Sequence, residues 1–419
     1  MKRLLSIITL VCAICTCAEA QWYLFPGNGK KQTEERKGPE KTEKKNQQKA
    51  PGQTTETAVP QIDSASITNP ADTLTVPKDD FILDIPQTIN VTMFLPLKST
   101  GKPSDNFYEY YTGALLAASD LGREGIDINL NIYDTGNGGI NASQSVIDAS
   151  DVIIGPVSSS DIKTLLQKIP EGKFVVSPLE PKAAALTDNE RVIQVPATAE
   201  SQVEEIVRWL KEEATVNDAV IVIEDEKAPG GNSRLLLDKL EASGIRHSVI
   251  RTSTVDDLQL ARRTRFVVAS DDEQFLCSTV NNIANLAAHK SGIVLYGTSK
   301  LRAYNSIHSE SLYKANTRLT SNYFVDYSDA EVKDFIMRFR AVFHSEPSSF
   351  AFHGYDTFKY FVTACATYGR QWPKRLSECS ECGLQADFKF EKQDGLVGMI
   401  NSSVRRIIYY PDLTATVQK

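Results

Sequence analysis

The sequence is poor in the residues that usually carry chemistry. Five histidines (His247, His289, His308, His344, His353) are scattered over 419 residues, and none stands in the H-E-x-x-H spacing that puts two zinc ligands on one helix face. No G-x-S-x-G elbow presents a serine nucleophile. His353 alone falls near a stretch expected to line a cleft, and a buried structural histidine is the simpler reading. A hydrolase on this chain would lack a nucleophile and base at recognisable spacing, so the protein is read as non-enzymatic. No metal and no cofactor is implied. Gly136-Asn137-Gly138-Gly139 lies between a strand pattern and a helix pattern, but Asn141 stands where a dinucleotide fingerprint needs its third glycine, which leaves a plain turn.

Positive charge is also in short supply. Lys and Arg total 46 against 53 Asp and Glu, a formal charge of −7, which argues against a nucleic-acid binder. Long apolar runs are missing after the first twenty residues. Leu4 to Ile14 is too short to span a bilayer. With Lys2 and Arg3 ahead and Ala18-Glu19-Ala20 behind, it reads as an export signal cleaved near Gln21. The mature chain is therefore expected to be soluble and exported to the periplasm or cell envelope, with no transmembrane segment. Lipid anchoring at Cys17 is the alternative, although Ile14-Cys15-Thr16 is a poor lead-in for it. Cysteine is scarce as well: of seven, Cys12, Cys15 and Cys17 leave with the signal. Cys277, Cys365, Cys379 and Cys382 remain where disulfides are allowed. Cys379-Ser380-Glu381-Cys382 has neither the helix of a redox motif nor a second pair for zinc. A local staple among Cys379, Cys382 and Cys365 stays open, as does a buried thiol at Cys365.

What is present falls into three parts: residues 1–20 as signal, 21–80 as a disordered polar linker, and 81–419 as a two-lobed domain. The linker is rich in Lys, Glu, Gln, Thr and Pro and cannot bury enough apolar surface to offset its ordering entropy. Its basic stretch, Lys30 to Lys49, reads as a solvated tether or as a contact to an anionic surface. Trp22-Tyr23-Leu24-Phe25 is an apolar tag without an explanation.

From Phe81 onward, strand and helix patterns alternate, as in a mostly parallel sheet covered on both faces. Residues 151–178 set the frame. Val152-Ile153-Ile154 is a short β-branched run of the fully buried kind, stopped by Gly155-Pro156. Ser158, Ser159 and Ser160 follow where a helix should open, and a second buried strand, Phe174 to Val176, returns beside the first. In open α/β sheets ligands sit at the carboxyl ends of strands, so this turn is read as one wall of a ligand cleft. Candidate ligand contacts are Ser158, Ser159 and Ser160, Ser177 at the next strand end, Glu180 on the turn after it, and Tyr355 on the hinge side. Helix capping competes at Ser158, paired with Asp161, and at Asp356. Ser201 with Glu204, and Ser328 with Glu331, are expected to open two further helices.

Several motifs in order carry a resemblance. Leu95-Pro96-Leu97, Gly113-Ala114-Leu115-Leu116-Ala117, Ile154-Gly155-Pro156-Val157-Ser158-Ser159, Val176-Ser177-Pro178, Tyr323-Phe324-Val325-Asp326-Tyr327, Glu346-Pro347 and Gly354-Tyr355-Asp356 resemble the type I periplasmic binding proteins. The branched-chain amino-acid receptors of ABC transporters are the nearest group, over about residues 88–410. The resemblance implies two doubly wound parallel-sheet lobes joined by three hinge crossings and closing on a small polar ligand, with an ABC permease as partner. Lobe one would be about 88–198 plus 325–380, and lobe two 199–324 plus 381–410. The turns that hold an amino acid's carboxylate and ammonium in that group map to Ser158–Ser160 and to Leu179-Glu180-Pro181. Two departures stand out: Pro181 replaces a threonine, and Ala228-Pro229 stands where a tyrosine is expected. The function implied is binding of an amino acid or wall-derived fragment. The alternative is an envelope scaffold or regulator that binds a cell-wall enzyme through its lobe surfaces.

Overall fold

A computed structural model describes residues 84–418 apart from 100, 226, 228–230, 256–259 and 394. The expected signal, the linker and Ala228-Pro229 lie outside the described residues.

Two sheets organise the chain. The first has eight strands in the order Ser380–Cys382, Asp387–Glu391, Met399–Asn401, Val192–Gln194, Val175–Ser177, Val152–Ile154, Thr88–Leu95, Asp127–Asp134. The second has seven: Ala415–Gln418, Arg405–Tyr409, Arg318–Ser321, Ile293–Thr298, Thr264–Val268, Ala219–Ile223, Ser248–Ile250. Pairing is parallel through the middle of each and antiparallel only at the C-terminal strands. These are the two doubly wound lobes that the resemblance implies.

The burial pattern shows why each sheet needs helices on both faces. In the first, Val91, Met93, Leu95 and Ile154 pack with helices Asp105–Arg123 and Ser349–Tyr368, while Phe94, Ile153 and Val175 pack with Ile162, Leu165 and Leu166 on the other side. In the second, Ile221, Ile223 and Phe266 face one layer, and Val220, Val222 and Val267 face Val203, Ile206 and Trp209 in the other. Side chains alternate across a strand, so two fully covered faces demand the unbroken apolar runs seen in the sequence. Each such side chain contributes about 1.5–3 kcal/mol when fully buried.

The two helices over the first sheet cross at close range because glycine stands at the crossing. A Cβ on Gly113 would lie 1.9 Å from the Ala351 carbonyl oxygen, and one on Gly354 would lie 1.9 Å from that of Tyr110.

Sheet membership corrects the expected assignment of 381–410 to lobe two. Asp387–Glu391 and Met399–Asn401 extend the first sheet, Met399 lying opposite Ile193, and only the strands from Arg405 onward join the second. The reason is Phe388 and Phe390, which stack in the first lobe's aromatic core with Tyr360 at ring distances of 4.6 and 5.5 Å.

Three crossings between sheets follow from this order: after Gln194, after Ser321 and after Asn401. The second is stitched into both cores. Tyr323 and Val325 belong to the first lobe's core, and Phe324 between them to the second's. Arg405 locks the third crossing to it, donating to the carbonyls of Phe324, Leu384 and Gly383 and to Asp387.

Three expected caps move. Thr198, not Ser201, opens helix Ala199–Glu213, its hydroxyl accepting from the Ser201 N–H. Asp329, not Ser328, opens Ala330–Phe343. Asp356 caps nothing at its own helix, which starts at Ser349 behind a Ser348 cap. Ala351 and Phe352, buried in the same core as Phe358 and Phe361, extend that helix upstream of Asp356, and Gly354 is needed inside it for the crossing. No disulfide joins the four described cysteines, and Cys365 is fully buried, its thiol pushed up to about 12 by burial.

Candidate functional site

The strand Val152–Ile154 ends at Gly155, which has φ +84°, and a Cβ there would sit 2.1 Å from the Phe94 carbonyl. Only glycine tolerates that position, and it turns the chain into helix Ser159–Leu166. Ser158 is the cap. Its hydroxyl accepts from the Asp161 N–H at 3.2 Å and donates to the Asp161 carboxylate at 2.6 Å. Ser160 Oγ lies 3.1 Å from Ser158 Oγ. Ser159 Oγ donates to Glu180 Oε2 at 3.1 Å, and Glu180 Oε1 accepts from the Lys182 N–H.

The structure therefore brings Ser158, Ser159, Ser160 and Glu180 together. Ser158 caps its helix in the pairing with Asp161 that the spacing predicts, and Ser159 answers Glu180. Ser177 ends its strand fully buried, its hydroxyl without a hydrogen-bond partner among the described residues. His353 accompanies it: Nε2 lies 2.7 Å from the Pro178 carbonyl, and the ring stands edge-on to Tyr323 with centroids 4.8 Å apart. Burial lowers the imidazole to about 4, partly offset by the Pro178 hydrogen bond, so the ring is neutral near pH 7 and structural.

Tyr355 is placed elsewhere. Its hydroxyl donates to Asp120 at 2.8 Å, and it lines a cavity that none of the turn residues reaches. Burial and the Asp120 carboxylate push its phenol upward. Asp356 beside it accepts from the N–H groups of Leu384, Gln385 and Ala386 at 2.8, 2.7 and 3.1 Å. That carboxylate organises the turn entering strand Asp387–Glu391. Burial raises it to about 6 against the pull of those N–H groups.

In the second lobe the strand ends are acidic, and sequence reasoning passed over them. Glu224 and Asp225 follow Ala219–Ile223 and are buried. Glu224 pairs with Arg251 at 3.0 Å, and Asp225 accepts from Ser270 at 3.3 Å and the Lys227 N–H at 3.0 Å. Asp271 accepts from Asn232 at 3.1 Å and faces Lys300 at 3.5 Å. The available signal was two adjacent acids directly after a buried strand. Among the described residues no group of three His, Cys, Asp or Glu is arranged to hold a metal ion, and no helix is long and apolar enough to cross a membrane.

Comparison with curated protein sequences returns no match. Among solved structures, a protein described as a branched-chain amino acid ABC transporter from Rhodospirillum rubrum is similar over 79% of this chain and 100% of its own, at 12% identity and a TM-score of 0.55. A branched-chain amino acid ABC transporter periplasmic ligand-binding protein from Burkholderia xenovorans LB400 is similar over 79% of this chain and 94% of its own, at 13% identity and a TM-score of 0.51. At such identities the likeness is one of fold. The sequence model of a family described as periplasmic binding protein matches residues 88–377, the stretch that builds most of both lobes and the first two crossings. With the two three-crossing sheets, that match makes this chain a member of the periplasmic binding protein family.

Proposed function

We propose that this chain is an exported, non-enzymatic receptor that closes its two lobes on a small polar molecule carrying an amine, such as an amino acid or an amine-bearing wall fragment. The observation that supports this reading is the acidity of the strand ends. Glu180 and Asp161 stand at the turns of lobe one, and Glu224, Asp225 and Asp271 at those of lobe two. Strand carboxyl ends are where ligands dock in open α/β sheets. A ligand carboxylate would have to displace Glu180 from Ser159, whereas an amine finds acceptors already positioned. Export rests on residues 1–20. The division proposed is signal 1–20, linker 21–80, lobe one 84–198 with 325–401, and lobe two 199–324 with 405–418. An ABC permease is the partner that goes with this reading.

Scanning fluorimetry against lysine, ornithine, leucine and muropeptides tests it. A ligand at a hundred times its Kd stabilises by about 2.7 kcal/mol. No shift from any of these at millimolar concentration sinks the proposal. One observation favours a second reading, an envelope scaffold that binds a cell-wall enzyme: the Ser158 and Ser159 hydroxyls of the lobe-one turn are taken up by the chain's own Asp161 and Glu180. Repeated recovery of one wall enzyme from envelope extracts, together with a silent fluorimetry screen, would select it.

A further inference from the structure

The parallel strands of the second sheet begin at one end, the base of lobe two, opposite the acidic ends at Glu224 and Asp271. Two turns at this base hold apolar side chains out in water. Thr215 to Asp218 is closed by the Thr215 N–H and hydroxyl, which donate to the Asp218 carboxylate at 3.2 and 2.9 Å, and by the Asp218 N–H on the Thr215 carbonyl. Val216 at its tip is 100% exposed. The turn after strand Arg405–Tyr409 is closed by the Tyr410 N–H on the Thr414 carbonyl and the Leu413 N–H on the Tyr410 carbonyl. Leu413 sits there at φ +68° and is 64% exposed. Turns favour Gly, Asn, Asp and Ser at such positions, so neither apolar residue is there for the turn's sake.

A row of contacts joins the two tips. Asp218 pairs with Arg263 at 3.4 Å and with Arg265 at 2.7 Å. Arg265 reaches Glu213 at 3.2 Å, Glu213 reaches Arg318 at 3.3 Å, and the Arg318 guanidinium lies 5.9 Å from the Tyr410 ring centroid. The two acids of this row are therefore spent within the protein, and the charge left facing water is positive. Arg246, Arg262 and Lys290 form no ion pair among the described residues, and the Lys290 ammonium donates to the Leu260 carbonyl. Gly292, at φ +83°, holds the turn after Lys290 against Arg262: a Cβ there would lie 2.4 Å from the Arg262 carbonyl oxygen. Arg246 leads into strand Ser248–Ile250 from the same end. Against these cations stand Glu241, which is exposed, and Asp412, whose carboxylate is held by the Thr414 N–H and hydroxyl.

Cations and apolar tips together select the partner. A soluble polyanion would meet the cations and leave Val216 and Leu413 in water. A bilayer with anionic headgroups meets both, the cations at the phosphates and the two side chains at the acyl boundary. A chain of formal charge −7 is repelled by such a surface except at a basic end.

We propose that the base of lobe two docks on an anionic phospholipid bilayer, Val216 and Leu413 entering the interface and Arg246, Arg262, Arg263 and Lys290 meeting headgroup phosphates. The proposed cleft lies at the opposite ends of these strands, and docking does not rest on the ligand reading.

Flotation of the mature chain with vesicles of phosphatidylcholine, or of phosphatidylcholine mixed with phosphatidylglycerol, is the test. The expected result is binding to the mixed vesicles alone, weakened by salt. Arg246→Gln with Arg262→Gln should lower partitioning about tenfold or more, since each cation near such a surface is worth about fivefold. Lys163→Gln with Lys374→Gln, an equal charge change at exposed positions of lobe one, leaves it intact. Val216→Ser with Leu413→Ser should lower vesicle binding about tenfold or more and leave retention on heparin unchanged. Val216→Trp, at a position that touches no core, should tighten vesicle binding about fivefold or more. Absence of binding to the mixed vesicles, equal loss in the two charge variants, or vesicle binding indifferent to both changes at Val216 overturns the proposal. Binding unaffected by every change at the base, and so carried by Lys30 to Lys49, overturns it as well.

Discussion

The Arg405 guanidinium donates to the Phe324 carbonyl at 2.6 Å and so ties the third crossing between the lobes to the second. Phe324 itself sits in the second lobe's core while its neighbours Tyr323 and Val325 sit in the first's. The hinge is thus held by one buried cation and by side chains that alternate between two cores.

Replacing Arg405 with alanine strands the Asp387 carboxylate and leaves the carbonyls of Phe324, Leu384 and Gly383 without their donor. Removing one partner from a buried charged network costs about 3–5 kcal/mol. Urea denaturation should show a loss of that size. A loss under about 1 kcal/mol would mean that the hinge is held by the Tyr323-Phe324-Val325 stitch alone.

At the helix crossing, Gly354→Ala and Gly113→Ala each drive a methyl to 1.9 Å from a backbone carbonyl of the facing helix. The helices must separate, and overpacking of this kind costs about 1–3 kcal/mol or more. Thermal melting of the two variants should show comparable losses, opposite in sign to the gain expected for Gly→Ala in an unobstructed helix.

Ser159 and Glu180 form a pair near the surface whose worth to stability is about 1 kcal/mol or less. Ser159→Ala and Glu180→Gln should therefore leave the melting temperature nearly unchanged. If an amine-bearing ligand docks at this turn, Glu180→Gln lowers its affinity about tenfold or more. Calorimetry on the ligand found by screening measures this, and an unchanged affinity would remove Glu180 from the site.

His353 gives a pH dependence with a definite sign. Its folded value, about 4, is below the ordinary histidine value of 6.5, so between the two the unfolded chain binds the extra proton. The contribution is present above pH 6.5 and is lost as pH falls through 4, amounting to about 3 kcal/mol at most. Asp356 works the other way, its raised value of about 6 favouring the native state on acidification. The difference between wild type and His353→Gln isolates the histidine. Denaturation midpoints of the two should converge as pH drops from 6.5 to 4, and parallel curves would count against a neutral buried ring.

Much of the lobe architecture was legible in the sequence. Val152-Ile153-Ile154 and Ala219 to Ile223 are apolar without alternation, and their shortness and β-branched content mark strands covered on both faces. Gly155-Pro156 before Ser158 marks the end of a strand and a cap, because both signals are local in the chain. Asp356 was misplaced because its partners, the N–H groups of Leu384 to Ala386, are nearly thirty residues away. The strands Ser380–Cys382, Met399–Asn401 and Ala415–Gln418 went unseen because they are short and lie at or near sheet edges, where pairing rather than composition makes a strand.

The sequence by itself determined the alternation of elements, the Ser158 cap with Asp161, and the two apolar faces of each sheet. Those depend on neighbours along the chain. Tertiary structure alone decided which sheet the C-terminal strands joined, that Ser159 answers Glu180, and that Tyr355 turns to Asp120 and into a cavity of its own. Each of these is settled by groups far apart in sequence, whose charges and hydrogen bonds find one another only once the cores have formed.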